Sequence, residues 1–181
     1  MTVERNIILT GFMGTGKTSV GRRLAQRLNY SFVDTDALIE ARSGMTVAEI
    51  FRHRGEAAFR RLEADLAQEL ADGQRQVIAT GGRFMLEDAN AAALGRNGLV
   101  FCLWAESEEI MARVAEDGAA ARPLLESSDP QARLETLLAE RRSGYLRFTA
   151  VDTSGKTVDE VVGTLLDRLE HPGGVQGPPV R

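Results

Sequence analysis

Near the amino terminus, Gly11-Phe12-Met13-Gly14-Thr15-Gly16-Lys17-Thr18 fits the pattern G-x-x-x-x-G-K-[ST] and directly follows the apolar run Ile7-Ile8-Leu9. An apolar strand, then a glycine-rich loop, then a helix opening near Lys17 is the order in which such a loop cradles phosphate. The glycines let backbone N–H groups converge on phosphate oxygens, and the helix start adds the positive end of its dipole. Gly14, Thr15, Gly16 and Ser19 are therefore expected to line a nucleotide's phosphates, with Lys17 as the cation for the β- and γ-phosphates. Thr18 offers a hydroxyl to Mg²⁺, which takes hard oxygen ligands. A chance glycine-rich turn is the rival reading, and it would need the motif, the strand before it and the helix after it to coincide.

Strands and helices alternate through the rest of the chain, which predicts an α/β fold with a parallel sheet. Residues 19–28 space Val20, Leu24 and Leu28 by four, with Arg22, Arg23 and Arg27 between them, as in an amphipathic helix. A short strand over 30–33 exits at Asp34-Thr35-Asp36. Carboxyl ends of strands in such sheets face the ligand crevice, so both carboxylates are candidates to approach the phosphates; solvated turn residues are the bland alternative. Thr46-Val47-Ala48-Glu49 is a capping box. Residues 56–71 predict a longer helix, on which Phe59, Leu62, Leu66 and Leu70 make one face and Glu56, Arg60 and Glu63 share a flank. Composition alone reads Arg60 there as a surface ion pair.

A strand at 77–79 runs into Thr80-Gly81-Gly82-Arg83, whose glycines allow close approach to a ligand or simply a tight turn. A helix at 87–94, a strand at 99–103, helices at 107–115 and 130–145, and a strand at Val151 follow. Thr157-Val158-Asp159-Glu160 then caps a last helix. Residues 116–128 interrupt the pattern with small residues and Arg122-Pro123-Leu124-Leu125, and are expected to form a mobile lid. Arg122 is placed there either to stabilise charge on a transferring phosphoryl group or as an ordinary exposed arginine.

Composition narrows the partners. The 181 residues carry 22 Lys plus Arg against 26 Asp plus Glu, a net charge of −4 with no basic tail, which disfavours nucleic acid. No apolar run reaches the roughly 20 residues of a membrane span. The single cysteine, Cys102, lies in an apolar strand and is read as buried and inert. A cytoplasmic protein without a membrane partner is the expectation. Residues 171–181, with three prolines and three glycines, are expected to be a disordered tail.

The ordered set of motifs resembles the shikimate kinases, small P-loop kinases of the nucleoside-monophosphate-kinase type, from about residue 6 to 169. The matches are the P-loop with Val20-Gly21, Asp34-Thr35-Asp36, Gly55-Glu56 with Phe59-Arg60-Arg61 and Glu63, Gly81-Gly82, Arg122-Pro123-Leu124-Leu125, Arg141 four before Tyr145, and Val151-Asp152-Thr153. The resemblance implies a three-layer α/β/α P-loop kinase fold with a central five-stranded parallel sheet. It implies one domain over 1–170, with substrate-binding helices at about 36–71, the lid at 116–128, and a monomeric state. It also implies transfer of the ATP γ-phosphoryl group to the 3-hydroxyl of shikimate, with Mg²⁺ as cofactor. By residue, Asp34 would hold Mg²⁺ through water beside Thr18, and Asp36 would bind substrate hydroxyls and act as base. Arg60 and Arg141 would clamp the substrate carboxylate with the Gly82 N–H, and Arg122 would close over the phosphates of ATP.

Two positions depart from the family pattern. Arg83 stands where a third glycine is usual, and is expected to alter the loop's φ/ψ or to reach into the crevice. Gly144 stands near a common proline, and is expected to loosen the helix end before Tyr145. A related kinase for another hydroxylated acid and a nucleotide-binding regulatory paralogue are the rival functions. Retention of Lys17 and Asp36 argues against the regulator, and the lack of an Asn-Lys-x-Asp segment argues against a GTPase.

Overall fold

Successive residues of a strand face opposite sides of its sheet, and a strand apolar on both sides belongs at the centre. β1 (Asn6–Gly11) is buried along its whole length. Its Ile7 and Leu9 pack with Leu24, Val161 and Leu165, whereas Ile8 packs with Ile39, Phe59, Leu66 and Phe84. The structure, a computed structural model, describes residues 4–116 and 128–171. Within them β1 lies mid-sheet in a five-stranded order β2-β3-β1-β4-β5. The other strands are β2 (Ser31–Asp34), β3 (Gln76–Ala79), β4 (Gly98–Trp104) and β5 (Thr149–Asp152), and every pairing is parallel.

Helices cover both faces, giving the three layers expected. α1 (Lys17–Leu28) and α8 (Val158–Glu170) bury one side. On the other side lie α2 (Thr35–Ser43), α3 (Val47–Arg54), α4 (Glu56–Ala71) and α5 (Asp88–Gly95). A third cluster, with Phe12, Cys102, Ile110, Leu134 and Leu137, seats α6 (Ser107–Glu116) and α7 (Pro130–Tyr145) beside the P-loop. Both predicted capping boxes form, at Thr46 with Glu49 and at Thr157 with Glu160. Among the described residues no helix is long and apolar enough to cross a membrane.

Asn6 joins the edges of these layers. Its buried amide donates to the carbonyls of Leu70 (3.3 Å) and Gly73 (2.9 Å) and accepts from the Gln76 N–H (3.1 Å). One side chain thereby ties the start of β1 to the end of α4 and the start of β3.

Two sequence expectations change, and one element is new. Asp34-Thr35-Asp36 is not merely a strand exit: Asp34 ends β2 and caps α2, its Oδ1 accepting from the Ala37 N–H at 3.2 Å. A 3₁₀ turn, Phe84–Leu86, follows the glycine loop unannounced, its Phe84 and Met85 buried. Gly144 does not loosen α7, which runs through to Tyr145; a Cβ there would come within 2.6 Å of Leu86 Cδ2, so the glycine serves close packing. Arg122, nearly all of the expected lid and the tail beyond His171 lie outside the described residues.

Candidate active site

In this sheet the carboxyl ends of β1, β2 and β3 lie side by side, and the segments leaving them carry the P-loop, the Asp34–Asp36 pair and Gly81-Gly82. The P-loop closes on itself first. The buried Thr15 hydroxyl donates to the Phe12 carbonyl at 2.8 Å, and Lys17 Nζ donates to the same oxygen at 2.7 Å. Thr15 thus offers the loop's concavity its backbone rather than its side chain. Gly14 and Gly16 both hold positive φ, 72° and 90°, while Thr18 and Ser19 are exposed on the first turn of α1.

β2 delivers the two aspartates. Asp34 Oδ2 accepts from the Thr18 hydroxyl at 2.9 Å, so the proposed cation ligands from two elements already touch. Asp36, in the first turn of α2, has a buried Oδ1 without a hydrogen-bond partner among the described residues. Burial pushes its carboxyl up to about 6; the Asp34 charge adds to this and Lys17 opposes it, with lesser effects from Glu40 and Arg60. Asp36 is therefore within the electrostatic reach of the P-loop lysine and of Arg60.

β3 supplies the floor. The Gly81 N–H donates to the Thr35 hydroxyl at 2.9 Å, tying the glycine loop to the start of α2. A Cβ on Gly81 would fall 2.5 Å from Asp36 Oδ1, so only glycine leaves that carboxylate its place. The Gly82 carbonyl accepts from the Tyr145 hydroxyl at 2.5 Å, and a Cβ built on Gly82 would be 3.6 Å from Arg141 Nη1. Arg141, stacked over the Phe12 ring at 5.2 Å, and Gly82 are thereby neighbours. Burial raises the Tyr145 hydroxyl to about 12, so it stays a donor, with Arg141 pulling the other way.

Arg60 pairs with Glu63 at 2.6 Å and with Glu56 at 3.0 Å, so the ion pairs composition suggested do form, but not on an open surface. Glu63 is only 1% exposed, and burial lifts its carboxyl to about 7 against the pull of Arg60. Burial works against the Arg60 charge, and the Glu63 and Glu56 contacts outweigh it, holding Arg60 above its usual value. Arg83 neither strains the loop nor needs a glycine's backbone, with φ −103° and ψ −7°; its side chain reaches Glu56 at 3.3 Å.

Two supports escaped the reading of the sequence. Tyr145 had served only as a motif marker, and its hydrogen bond spans 63 positions. Arg113 donates to the Gly14 carbonyl at 3.2 Å and to the Thr153 carbonyl at 2.7 Å, and also pairs with Glu109, bracing the P-loop against the loop after β5. Nothing local to Arg113 signals that role, because its partners lie 99 and 40 positions away. Cys102 is buried as expected, and burial pushes its thiol up to about 12, which keeps it unreactive.

A family model described as shikimate kinase matches residues 13–170. A shikimate kinase of Symbiobacterium thermophilum is 46% identical over 93% of this chain and 98% of its own. One of Thermodesulfovibrio yellowstonii is 41% identical over 92% and 96%. Among solved structures, a shikimate kinase from Acinetobacter baumannii in complex with shikimate superposes with a TM-score of 0.86 at 32% identity, covering 97% of each chain. The chain belongs to the shikimate kinase family.

Proposed function

We propose that the crevice carries out the family's reaction, ATP-dependent phosphorylation of shikimate, with the following division of labour. The observation that carries it is Asp36: a carboxylate with one unpartnered buried oxygen, raised to about 6, wedged against Gly81 beside the P-loop lysine. Such a group is ionised at neutral pH yet basic enough to take a proton in the transition state. As the 3-hydroxyl oxygen of shikimate bonds to the γ-phosphorus, its proton passes to Asp36 and the bond to ADP breaks.

Phosphoryl transfer asks little covalent chemistry of the protein and much positioning and charge neutralisation. Lys17 and the backbone of Gly14, Thr15 and Gly16, with Ser19, hold the phosphates. Arg60, Arg141 and the Gly82 N–H hold the substrate carboxylate through forked, charge-assisted hydrogen bonds. Arg122 closes the site against water. The Thr18 hydroxyl and Asp34, hard oxygen donors already 2.9 Å apart, fit Mg²⁺, which when bound draws charge from the β- and γ-phosphate oxygens. Small-molecule substrates and the lack of a basic tail fit a cytoplasmic monomer without a nucleic-acid partner; a dimer in sedimentation would remove the monomer.

A coupled ADP-release assay with shikimate, quinate and gluconate tests the acceptor, and turnover confined to shikimate is expected. Comparable kcat/KM for gluconate would overturn the reading. Arg60→Ala is expected to weaken shikimate binding by about 2–5 kcal/mol, the range for truncating one partner of a buried charge pair. Arg60→Lys should recover part of that, since an ammonium lacks the fork.

A further inference from the structure

Three guanidinium groups act on a single carboxylate at the mouth of the crevice. Hydrogen bonds from Arg60 hold the Glu56 carboxyl below its usual range, and the charges of Arg83 and Arg141 add to this. One oxygen takes most of the contact. Glu56 Oε1 accepts from Arg60 Nη2 at 3.0 Å, from Arg60 Nε at 3.3 Å and from Arg83 Nη1 at 3.3 Å. Arg60's remaining arm, Nη1, donates to the buried Glu63 at 2.6 Å.

The Nε/Nη2 edge is one of the two edges with which a guanidinium grips a carboxylate bidentately. Here Glu56 covers it, so an acid substrate seeking that edge competes with a carboxylate of the protein. Glu63 is fixed by burial, but the Glu56 side chain is 53% exposed and begins α4, so it is the one able to give way. It can do so at little cost only if a second cation keeps it.

We propose that Arg83 is a positioning residue for the acid substrate: by holding Glu56 Oε1 from the glycine loop, it draws that carboxylate off the Nε/Nη2 edge of Arg60 as the substrate carboxylate arrives. This rests on the reading that Arg60 grips the substrate. Arg83 is suited to the task on three counts. Its backbone is unstrained, its second arm has Glu87 at 4.0 Å to steady it, and it approaches Glu56 from the glycine loop rather than from α4. It acts through Glu56 and not on the substrate, which separates this role from that of a third direct clamp.

A double-mutant cycle on shikimate Kd and on steady-state kinetics tests it. Arg83→Gln should raise shikimate Kd and KM by roughly 5-fold, the scale of a half-exposed ion pair, with kcat unchanged. Arg83→Lys should restore most of the loss. Glu56→Gln, which removes the competitor, should tighten Kd, and in that background Arg83→Gln should have no further effect. A silent Arg83→Gln, or an effect that persists undiminished in Glu56→Gln, overturns the proposal. An unchanged Kd in Arg60→Ala overturns the clamp itself, and is read independently of either Arg83 variant.

Discussion

Asp36 is held where two demands meet. Burial and the Asp34 charge raise its carboxyl, Lys17 and Arg60 lower it, Glu40 raises it again, and the balance is about 6. If Asp36 is the base, kcat/KM rises with pH through a midpoint near that value, and Asp36→Asn lowers kcat by roughly 10²-fold or more and removes the limb. A limb that survives in Asp36→Asn assigns it to another group. The same shift fixes the sign of a stability effect. Because the folded value lies above the ordinary 3.8, Asp36 contributes stability that is fully present below pH 3.8 and lost as pH rises through about 6. Glu63, raised to about 7, extends the decline toward neutrality. In denaturant melts the stability of wild type relative to Asp36→Asn should therefore fall between pH 4 and 7; a difference that does not change with pH would refute the shift. Lys17→Ala should leave the melt intact and abolish transfer, since the phosphates lose their fixed cation; activity near wild type would refute its role. The sequence made these residues legible because P-loop and Asp-x-Asp are contiguous patterns. It could not disclose that Glu63 is sealed from solvent or that Thr35 holds Gly81, a contact across 46 positions, because burial and cross-loop bonds depend on which elements the fold brings together.

Elements were legible in proportion to their apolar stripes. α4 buries Phe59, Leu66 and Leu70 at helical spacing, and its span was read correctly. α2 buries only Thr35 and Ile39, so no periodicity announced it; its one local sign was the cap at Asp34. That modest helix nonetheless carries Asp36, the proposed base, and it is latched to the β3 loop at Gly81. Gly81→Ala would place a methyl 2.5 Å from Asp36 Oδ1, and since small displacements of a reacting group are costly, a fall in kcat of about 10-fold or more is expected with near-normal ATP binding. Wild-type kcat in that variant would show that Asp36 is not confined by the loop. The Arg83 departure was visible in the sequence, but its consequence was not, because the partner it reaches belongs to another helix.

At the scale of the molecule, the sheet's two apolar faces support the crevice from behind without entering it. Leu165 on α8 is fully buried on the sheet face opposite α2, α3 and α4. Leu165→Ala should cost about 2–5 kcal/mol of stability and leave kcat per folded molecule unaltered; a matching loss of turnover would mean that α8 shapes the site. The α/β class with a parallel sheet followed from the alternation of strands and helices, whereas the strand order and the bracing of layer on layer did not. Asn6 shows what that bracing entails in time. Its amide cannot be satisfied until Leu70, Gly73 and Gln76, which lie 64, 67 and 70 positions later, have come home. Contacts so distant in sequence form only after loop closure has been met, and late in a folding trajectory. In pulsed hydrogen exchange the amides of β1 and of Gln76 should gain protection in one phase. On the ribosome, β1 and the glycine-rich loop after it emerge before Leu70, Gly73 and Gln76 and wait, unfinished, for chain not yet synthesised.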